Sequence, residues 1–397
     1  MPPLSFDEAT IRDLVSRRDA LDAVRQALTS LAQDQVLMPD ELALALAAGE
    51  VHIKGGHLVG TAHAAFKVAT GFPGNAAAGR PVNDGFSFAL DASTGALAAT
   101  LFDGGWLTDL RTGAAGALAA DLLARPDATR VAILGAGAQA RFQLEALLDV
   151  RPVEQVTVWN RTSERAEAFA AAVRADLGLP VTVAADVRAA VAEADIVVTT
   201  TASREPLLHA SWLAPGTHVT AMGSDFPDKR ELAADVLAAA DVVVADRVEV
   251  CARVGELHHG LADGALDRAS VVELADVVVG RAAGRTERTS GAPWSGSARP
   301  ARSVSRARAI LSTVTKLGFA WPSSIWVSIR RLTPASSASR PTVMPRCCRR
   351  TRTRPPNSAR NGAGRGPGVT PGRRAARRRR RSSVPVPAAC TAPGDRG

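Results

Sequence analysis

The sequence predicts an α/β protein: a Rossmann-type, doubly wound parallel sheet with a second α+β domain. From residue 130 onward, short apolar runs alternate with apolar residues at helical spacing, which is typical of a parallel sheet covered by helices. The first run, residues 131–134, passes without a gap into Gly135-Ala-Gly-Ala-Gln-Ala140. Such a glycine turn between a strand and a helix is the fingerprint of a dinucleotide-binding unit.

Each small residue of this turn has its own physical role. Gly135 permits the tight turn, Gly137 lets the backbone approach a pyrophosphate, and Ala140 lets the new helix pack closely on its strand. The phosphate is then expected at the N-terminus of that helix. A second strand over residues 156–159 completes the βαβ unit.

The residues after this second strand indicate which dinucleotide is bound. A carboxylate there would bind the ribose 2′-OH of NAD, whereas a basic group accommodates the 2′-phosphate of NADP. The sequence offers Asn160, Arg161 and Thr162, with Arg165 beyond. The run NRTSER resembles the phosphate-binding loop of NADP-dependent shikimate dehydrogenases. A solvated helix start with surface arginines is the alternative, but the pattern favours NADP over NAD.

The chain before residue 130 reads as helices followed by short strands. Ser5 and Glu8 have the spacing of a capping box, and apolar spacing predicts helices to about residue 32. Strand-like segments follow at residues 50–69, 86–90 and 96–102, and an alanine-rich helix runs from about residue 107 to 125.

Four later strands are predicted at residues 181–183, 196–199, 218–221 and 242–244. In a doubly wound sheet, ligands bind at the carboxyl ends of the strands. The full set of residues predicted to bind the cofactor is therefore Gly135, Gly137, Ala138, Gln139, Asn160, Arg161, Thr162, Arg165, Thr201, Ala202, Met222 and Gly223.

The net charge of +9 is unevenly distributed. Residues 287–397 carry 24 basic and 2 acidic residues, so the remaining 24 basic and 37 acidic residues give residues 1–286 a balance of −13. Nucleic acid is therefore not expected as a partner. Only Cys251 of the four cysteines precedes residue 287, which predicts a reducing, cytoplasmic location. Neither a signal peptide nor a membrane span is predicted.

Four segments in order, AFKVATGFPGN, LTDLRTGAAGALAADLLA, ILGAGAQA and MGSDFPDKREL, resemble the ornithine cyclodeaminase/μ-crystallin family over about residues 1–286. The resemblance implies hydride transfer at a carbon that bears nitrogen, a small amino or imino acid substrate, and a homodimer. It also implies a substrate-binding and dimerisation domain at residues 1–112 and a Rossmann NAD(P)-binding domain at residues 113–286.

The same resemblance assigns roles to three residues. Asp225 would exchange a proton with the substrate nitrogen, Lys67 would act at the substrate, and Arg111 would bind its carboxylate. Residues 1–286 contain only the lysines Lys54, Lys67 and Lys229. A surface lysine at position 67 and a loop-capping role for Asp225 are the alternatives.

Three positions depart from the cyclodeaminase pattern. The family pattern has an arginine about ten residues before the EVHIKG segment, where this chain has Glu41 and no arginine. It places a carboxylate near His52, where this chain has His52 and Lys54, and Lys54 could replace the missing cation. Asp84 stands where a small hydroxyl residue is usual. His52, Lys54 and Asp84 complete the expected substrate site, and no metal site is expected.

These observations predict ornithine-type cyclodeamination of a diamino acid, narrowly ahead of reduction of a cyclic imine such as Δ1-pyrroline-2-carboxylate or amino-acid dehydrogenation. A non-catalytic nucleotide binder is the alternative of another class. Residues 287–397, rich in Arg, Pro and Ser, are expected to be a disordered tail. A change of reading frame near residue 286 is favoured over a basic interaction arm as the origin of this tail.

Overall fold

The structure, a computed structural model, describes residues 2–284, 310–311, 313–314 and 325–328. The first part of the chain consists of β1 (Leu4–Asp7), α1 (Glu8–Leu14), α2 (Arg17–Ala32), β2 (Val36–Leu37), β3 (Leu42–Leu46), β4 (Gly49–Leu58), β5 (His63–Gly71), β6 (Asn83–Asp91), β7 (Leu97–Phe102) and α3 (Trp106–Leu123). The strands form one sheet in the order β1-β7-β6-β5-β4-β2, and β3 pairs with β4 beside this path.

The central strands of this first sheet are antiparallel, and their register positions the later site. Lys54 of β4 lies opposite Lys67 of β5, and Lys67 lies opposite Ser87 of β6. Residues directly opposite one another in neighbouring strands project to the same face. The register therefore places two lysines side by side on one face.

The N-terminal helices confirm the predicted helical region but correct its first cap. Ser5 lies in β1, which pairs in parallel with β7, so Ser5 does not begin a helix. Asp7 caps α1 by accepting a hydrogen bond from the Thr10 amide, and Ser16 with Asp19 forms the capping box of α2. The long-range pairing with β7 takes precedence over the local capping pattern.

Helix α3 connects the two halves of the described chain. Gly113 and Gly116 allow close packing on a neighbouring helix, because a Cβ at Gly113 would lie 2.6 Å from the Phe142 carbonyl oxygen and one at Gly116 would lie 2.0 Å from Gln143 Oε1. The Gln143 side chain also donates to the Thr112 carbonyl at 3.0 Å. In the described part of the chain, no helix is both long and apolar enough to cross a membrane.

The chain continues with β8 (Arg130–Leu134), α4 (Ala138–Leu148), β9 (Gln155–Trp159), α5 (Ser163–Leu177), β10 (Val181–Val183), α6 (Val187–Val191), β11 (Ile196–Thr199), β12 (His218–Ala221), α7 (Ala234–Ala238), β13 (Val242–Ala245), α8 (Val248–Cys251), α9 (Gly255–Ala262), β14 (Val271–Glu273), α10 (Leu274–Val278) and β15 (Ile325–Ser328). These strands form a second sheet in the order β10-β9-β8-β11-β12-β15-β13-β14.

Both faces of the second sheet are covered, as a doubly wound arrangement requires. Along β8, Val131 and Ile133 pack in one apolar cluster with residues of α4 and α5. Ala132 and Leu134 pack in another with residues of α6 and α7. The predicted α/β architecture and its strands β8 to β13 are confirmed.

The predicted sheet was wholly parallel, and the structure corrects this. Strand β15 is antiparallel to both β12 and β13 and lies between them. The facing edges of β12 and β13 need hydrogen-bond partners because backbone groups in a buried sheet must be paired, and β15 supplies them.

Strand β15 also corrects part of the expectation of a disordered tail, because residues 325–328 lie within it. The same holds for Ile310, Leu311, Thr313 and Val314, which are buried. The remainder of residues 287–397 lies outside the described residues.

Candidate active site

The glycine turn between β8 and α4 has the shape that a dinucleotide requires. Gly135 has φ +118°, its amide donates to the Trp159 carbonyl at 2.8 Å, and a Cβ there would lie 2.6 Å from Thr200 Oγ1. Gly137, in contrast, would place a Cβ in open space. No side chain caps α4, so its first amides can receive a phosphate. These residues fit a dinucleotide.

The remaining small residues of the turn lie as the fingerprint predicts. Ala140 is fully buried and Ala138 is exposed beside Gly137. The Gln139 side chain donates to the Asp109 carboxylate at 2.6 Å. Gln139 therefore connects the cofactor turn to α3.

Two exposed guanidinium groups follow β9, that of Arg161 in the loop and that of Arg165 in the first turn of α5. Arg161 and Arg165 are exposed, and within the described residues neither forms an ion pair. The Asn160 side chain donates to the Thr162 carbonyl at 3.0 Å and closes the loop. Two uncompensated positive charges thus flank the end of β9.

The carboxyl ends of β11 and β12 lie beside that of β8, at the edge of the sheet where ligands of doubly wound folds bind. Thr201 and Ala202 follow β11, and Met222 and Gly223 follow β12. The buried Glu231 carboxylate joins the two ends by accepting hydrogen bonds from the amides of Thr201 at 2.6 Å and Gly223 at 2.8 Å.

Lys54, Lys67 and Arg111 form a cationic cluster between the first sheet and α3. Lys67 is 6% exposed and Arg111 is 7% exposed. Lys67 Nζ donates to Thr108 Oγ1 of α3 at 3.4 Å, so α3 carries Arg111 towards the lysines. The structure therefore brings together three of the predicted substrate residues.

The cationic cluster is buried, and burial disfavours its positive charges. Burial, Arg111 and Lys54 hold the pKa of Lys67 well below its usual value, and burial lowers the pKa of Arg111 to about 10. Arg111 Nε and Nη1 are buried without a hydrogen-bond partner. Because buried guanidinium donors are costly to leave unpaired, the cluster is suited to bind an anion.

Asp225 lies in the loop of residues 222–232, which we call the Asp225 loop. Its half-exposed carboxylate pairs with Lys229 at 2.6 Å. It is close enough to Lys54 to raise the pKa of that lysine against the larger, lowering effect of burial. The adjacent Phe226 ring meets the His52 ring edge-on, with centroids 5.3 Å apart.

The structure places Asp84, a predicted substrate residue, away from the cationic cluster. It is exposed at the start of β6, and its carboxylate accepts a hydrogen bond from the next amide, Gly85, at 2.7 Å. Among the described residues, no contact links the Asp84 side chain to the cationic cluster.

Comparison with known proteins identifies the family. The model of the ornithine cyclodeaminase/mu-crystallin family matches residues 6–293. This chain belongs to that family.

Two relatives show how similar this chain is to other proteins. A candidate dehydrogenase of Rhizobium meliloti (strain 1021) is 44% identical over 283 residues, which cover 70% of this chain and 86% of the relative. A Delta(1)-pyrroline-2-carboxylate reductase of Paracoccus denitrificans (strain Pd 1222) is 35% identical over 280 residues, covering 69% and 85%.

Two solved structures of similar proteins contain a nicotinamide cofactor. An archaeal alanine dehydrogenase dimer with bound NAD has a TM-score of 0.69 and 29% identity, covering 80% of this chain and 95% of that one. The Thermococcus litoralis Delta(1)-pyrroline-2-carboxylate reductase, in complex with NADH and L-proline, also has a TM-score of 0.69, with 26% identity and coverage of 80% and 96%.

In this member of the family, Glu41 is a residue of the site that the sequence did not reveal. Its carboxylate accepts a hydrogen bond from His52 Nδ1 and forms an ion pair with Lys54 Nζ at 3.0 Å. Burial acts to raise the pKa of Glu41, but the His52 hydrogen bond and the Lys54 charge outweigh burial and lower it. Glu41 thus lies beside His52, near which the cyclodeaminase pattern has a carboxylate and where none was predicted in this chain.

Within the described residues, no group of three or more His, Cys, Asp or Glu side chains is arranged to hold a metal ion. His259 Nε2 instead donates to the Lys229 carbonyl at 2.9 Å. That contact anchors one end of the Asp225 loop.

Proposed function

We propose that this protein is a NAD(P)-dependent enzyme acting at the nitrogen-bearing α-carbon of a small amino or cyclic imino acid, with imine reduction as its net reaction. The observation that carries this proposal is Arg111, whose Nε and Nη1 are buried without partners. A guanidinium fork pairs with a carboxylate through two parallel hydrogen bonds. The substrate carboxylate would supply an acceptor for this buried guanidinium group.

Lys67 completes the carboxylate site from the first sheet. Its long contact with Thr108, 3.4 Å, leaves hydrogens of the ammonium group available to the substrate. With the carboxylate held on the Arg111 side, the α-carbon faces the cleft between the ends of β8, β11 and β12. A nicotinamide cofactor held at the glycine turn would supply the hydride for this carbon.

Asp225 is proposed to handle the proton on the substrate nitrogen. Its side chain forms an ion pair with Lys229. Because it is half-exposed, it remains accessible to a substrate. A carboxylate beside an imine stabilises the protonated, cationic form that accepts hydride most readily. Asp225 is therefore placed in this proposal as the electrostatic partner of the nitrogen.

The choice of imine reduction over cyclodeamination rests on Glu41. Cyclodeamination requires a group to receive the second amine of a diamino acid, and the sequence alone favoured that reaction. Glu41 supports it less well, because its carboxylate is already engaged by His52 and Lys54. A substrate without a distal ammonium group leaves this arrangement intact.

Cyclodeamination remains the second candidate because Glu41 and His52 together lie where the family pattern has a carboxylate. A distal ammonium group that displaced Lys54 from Glu41 would recover that interaction. The two reactions differ in their products, so one set of assays separates them.

The test measures NADPH and NADH consumption with Δ1-pyrroline-2-carboxylate, and ammonia and proline formation from diamino acids. We expect imine reduction, and about a 10- to 100-fold increase in KM for the imino acid in Arg111→Lys, because lysine cannot form the bidentate pair. Arg188→Lys, at an exposed position, is the matched control. Ammonia release without imine reduction would favour cyclodeamination instead. Absence of both activities, together with ligand binding by Asp225→Asn equal to that of wild type, would refute both reactions.

A further inference from the structure

Two buried carboxylates, one of them within the Asp225 loop and the other on α9, lie close to each other. Glu231 is 0% exposed and Glu256 is 2% exposed, and in the described chain neither forms an ion pair with a lysine or arginine. Burial raises the pKa of Glu256 to about 8, with the Glu231 charge adding to the effect. Buried carboxylates are costly unless hydrogen-bond donors surround them. The groups that donate to Glu231 and Glu256 therefore show which backbone segments these two residues hold together.

Glu231 joins the ends of two neighbouring strands. One oxygen accepts from the Thr201 amide at 2.6 Å and the Thr201 hydroxyl at 2.7 Å, and the other accepts from the Thr199 hydroxyl at 2.6 Å and the Gly223 amide at 2.8 Å. A Cβ at Gly223 would lie 2.1 Å from the Thr201 carbonyl oxygen. The backbones after β11 and β12 are therefore held in direct contact.

Glu256, on α9, holds the far end of the same loop. Its two oxygens accept from the amides of Glu231 at 2.6 Å and Leu232 at 3.0 Å. Three residues along α9, His259 donates to the Lys229 carbonyl at 2.9 Å. The chain from 229 to 232 is thus fixed to α9, while residues 225–228 lie between the two anchored ends.

We infer that Glu231 and Glu256 are positioning residues for the reaction, fixing both ends of the Asp225 loop so that the Asp225 carboxylate faces the substrate nitrogen. This inference rests on the proposed function, since it presupposes the role of Asp225 there. Neither glutamate needs to touch substrate. Their effect passes through backbone amides of the loop that carries Asp225.

The experiment compares Glu256→Gln with the wild-type protein. A glutamine side chain has one oxygen and one amino group, so it cannot accept from both the Glu231 and Leu232 amides. We expect kcat to fall about tenfold or more, because small misplacements of a reacting group cost on the order of 100-fold in rate. KM for the imino acid and the nucleotide Kd are expected to stay within about twofold. Glu193→Gln, at an exposed position, is the matched control.

A second measurement does not depend on activity. Trypsin cleavage after Lys229, followed by mass spectrometry, is expected to accelerate in Glu256→Gln relative to cleavage after Arg174 in α5, and to remain unchanged in Glu193→Gln. Equal acceleration at both sites, or an unchanged kcat in folded Glu256→Gln, would overturn the inference. If the wild-type protein reduces no imine but cleavage after Lys229 still accelerates selectively, the proposed function fails while the loop anchoring stands.

Discussion

Asp103 is a buried carboxylate that combines a structural and an electrostatic role. It is 2% exposed, and its Oδ2 accepts from the Leu107 amide at 2.8 Å in the first turn of α3. Its Oδ1 is buried without a hydrogen-bond partner. Burial raises the pKa of Asp103 to about 6, although the Leu107 hydrogen bond and the Lys67 charge oppose the shift.

This shift predicts a pH-dependent stability difference between the wild-type protein and Asp103→Asn. The pKa is higher in the folded than in the unfolded state, so the stabilisation from this group is complete below about pH 4 and is lost as the pH rises through about 6. Asparagine keeps an acceptor for Leu107 but does not titrate. We therefore expect the variant to gain stability relative to wild type between about pH 4 and pH 7, by roughly 3 kcal/mol at most.

The measurement is urea unfolding at several pH values across that interval, with Asp186→Asn as a control, since Asp186 is an exposed cap of α6. A stability difference between wild type and Asp103→Asn that stays constant with pH would contradict the assignment.

Residues whose role depends on local spacing were predicted from the sequence, and residues whose role depends on register were not. Gly135 and Ala140 follow from the order of a strand, a turn and a helix. Glu41 reaches Lys54 only because β3 pairs with β4 across a tight connection. The sequence of neither strand indicates which strand it pairs with. Glu256 reaches Glu231 across 25 residues through the packing of α9.

At the scale of elements, the loop between β9 and α5 decides which cofactor we expect. Arg161 in this loop and Arg165 in the first turn of α5 form no ion pair within the described residues. No carboxylate occurs at positions 160–162. The related structures contain NAD or NADH, so the family accommodates the cofactor without a 2′-phosphate. The preference for NADP in this chain is a prediction from its own residues.

We expect NADPH to bind more tightly than NADH, by about tenfold, because each charged hydrogen bond to a phosphate contributes on the order of 1.5 kcal/mol. Arg161→Ala is expected to weaken NADPH binding and to leave NADH binding nearly unchanged. Fluorescence titration with both nucleotides measures this, and Arg188→Ala serves as the control. Equal affinities, with no loss in Arg161→Ala, would remove the basis for the preference.

The elements themselves were predicted best where short apolar runs alternate with helical segments. The strands β10 to β13 appear within one residue of the predicted ranges. Strand β15 was missed because residues 325–328 lie in a stretch without regular spacing. Its place in the sheet depends on pairing with β12 and β13, which are distant in the sequence.

At the scale of the whole molecule, the first sheet exposes an apolar strip. Leu42, Leu44 and Leu46 of β3 are 50%, 49% and 50% exposed, and their alternate spacing places them on one side of the strand. Exposed apolar surface of this kind is typical of protein interfaces. The related alanine dehydrogenase is described as a dimer.

We therefore expect the full chain to self-associate through the first sheet. Leu44→Glu places a charge in the middle of the strip and should shift the protein towards the monomer, whereas Thr182→Glu, at an exposed position of β10 in the second sheet, should not. Light scattering at micromolar concentration measures the mass. A wild-type monomer, or no difference between the two variants, would contradict this interface.

The contact between the Gly135 amide and the Trp159 carbonyl gives the protein an internal optical reporter. The chain contains six tryptophans and no tyrosine, so its near-ultraviolet emission comes from indole alone. Trp159 lies between the glycine turn and the loop that carries Arg161, where a dinucleotide would extend from pyrophosphate to ribose. Because a reduced nicotinamide absorbs at the wavelengths that indole emits, occupancy of the cleft would quench this emission by energy transfer, without any attached dye.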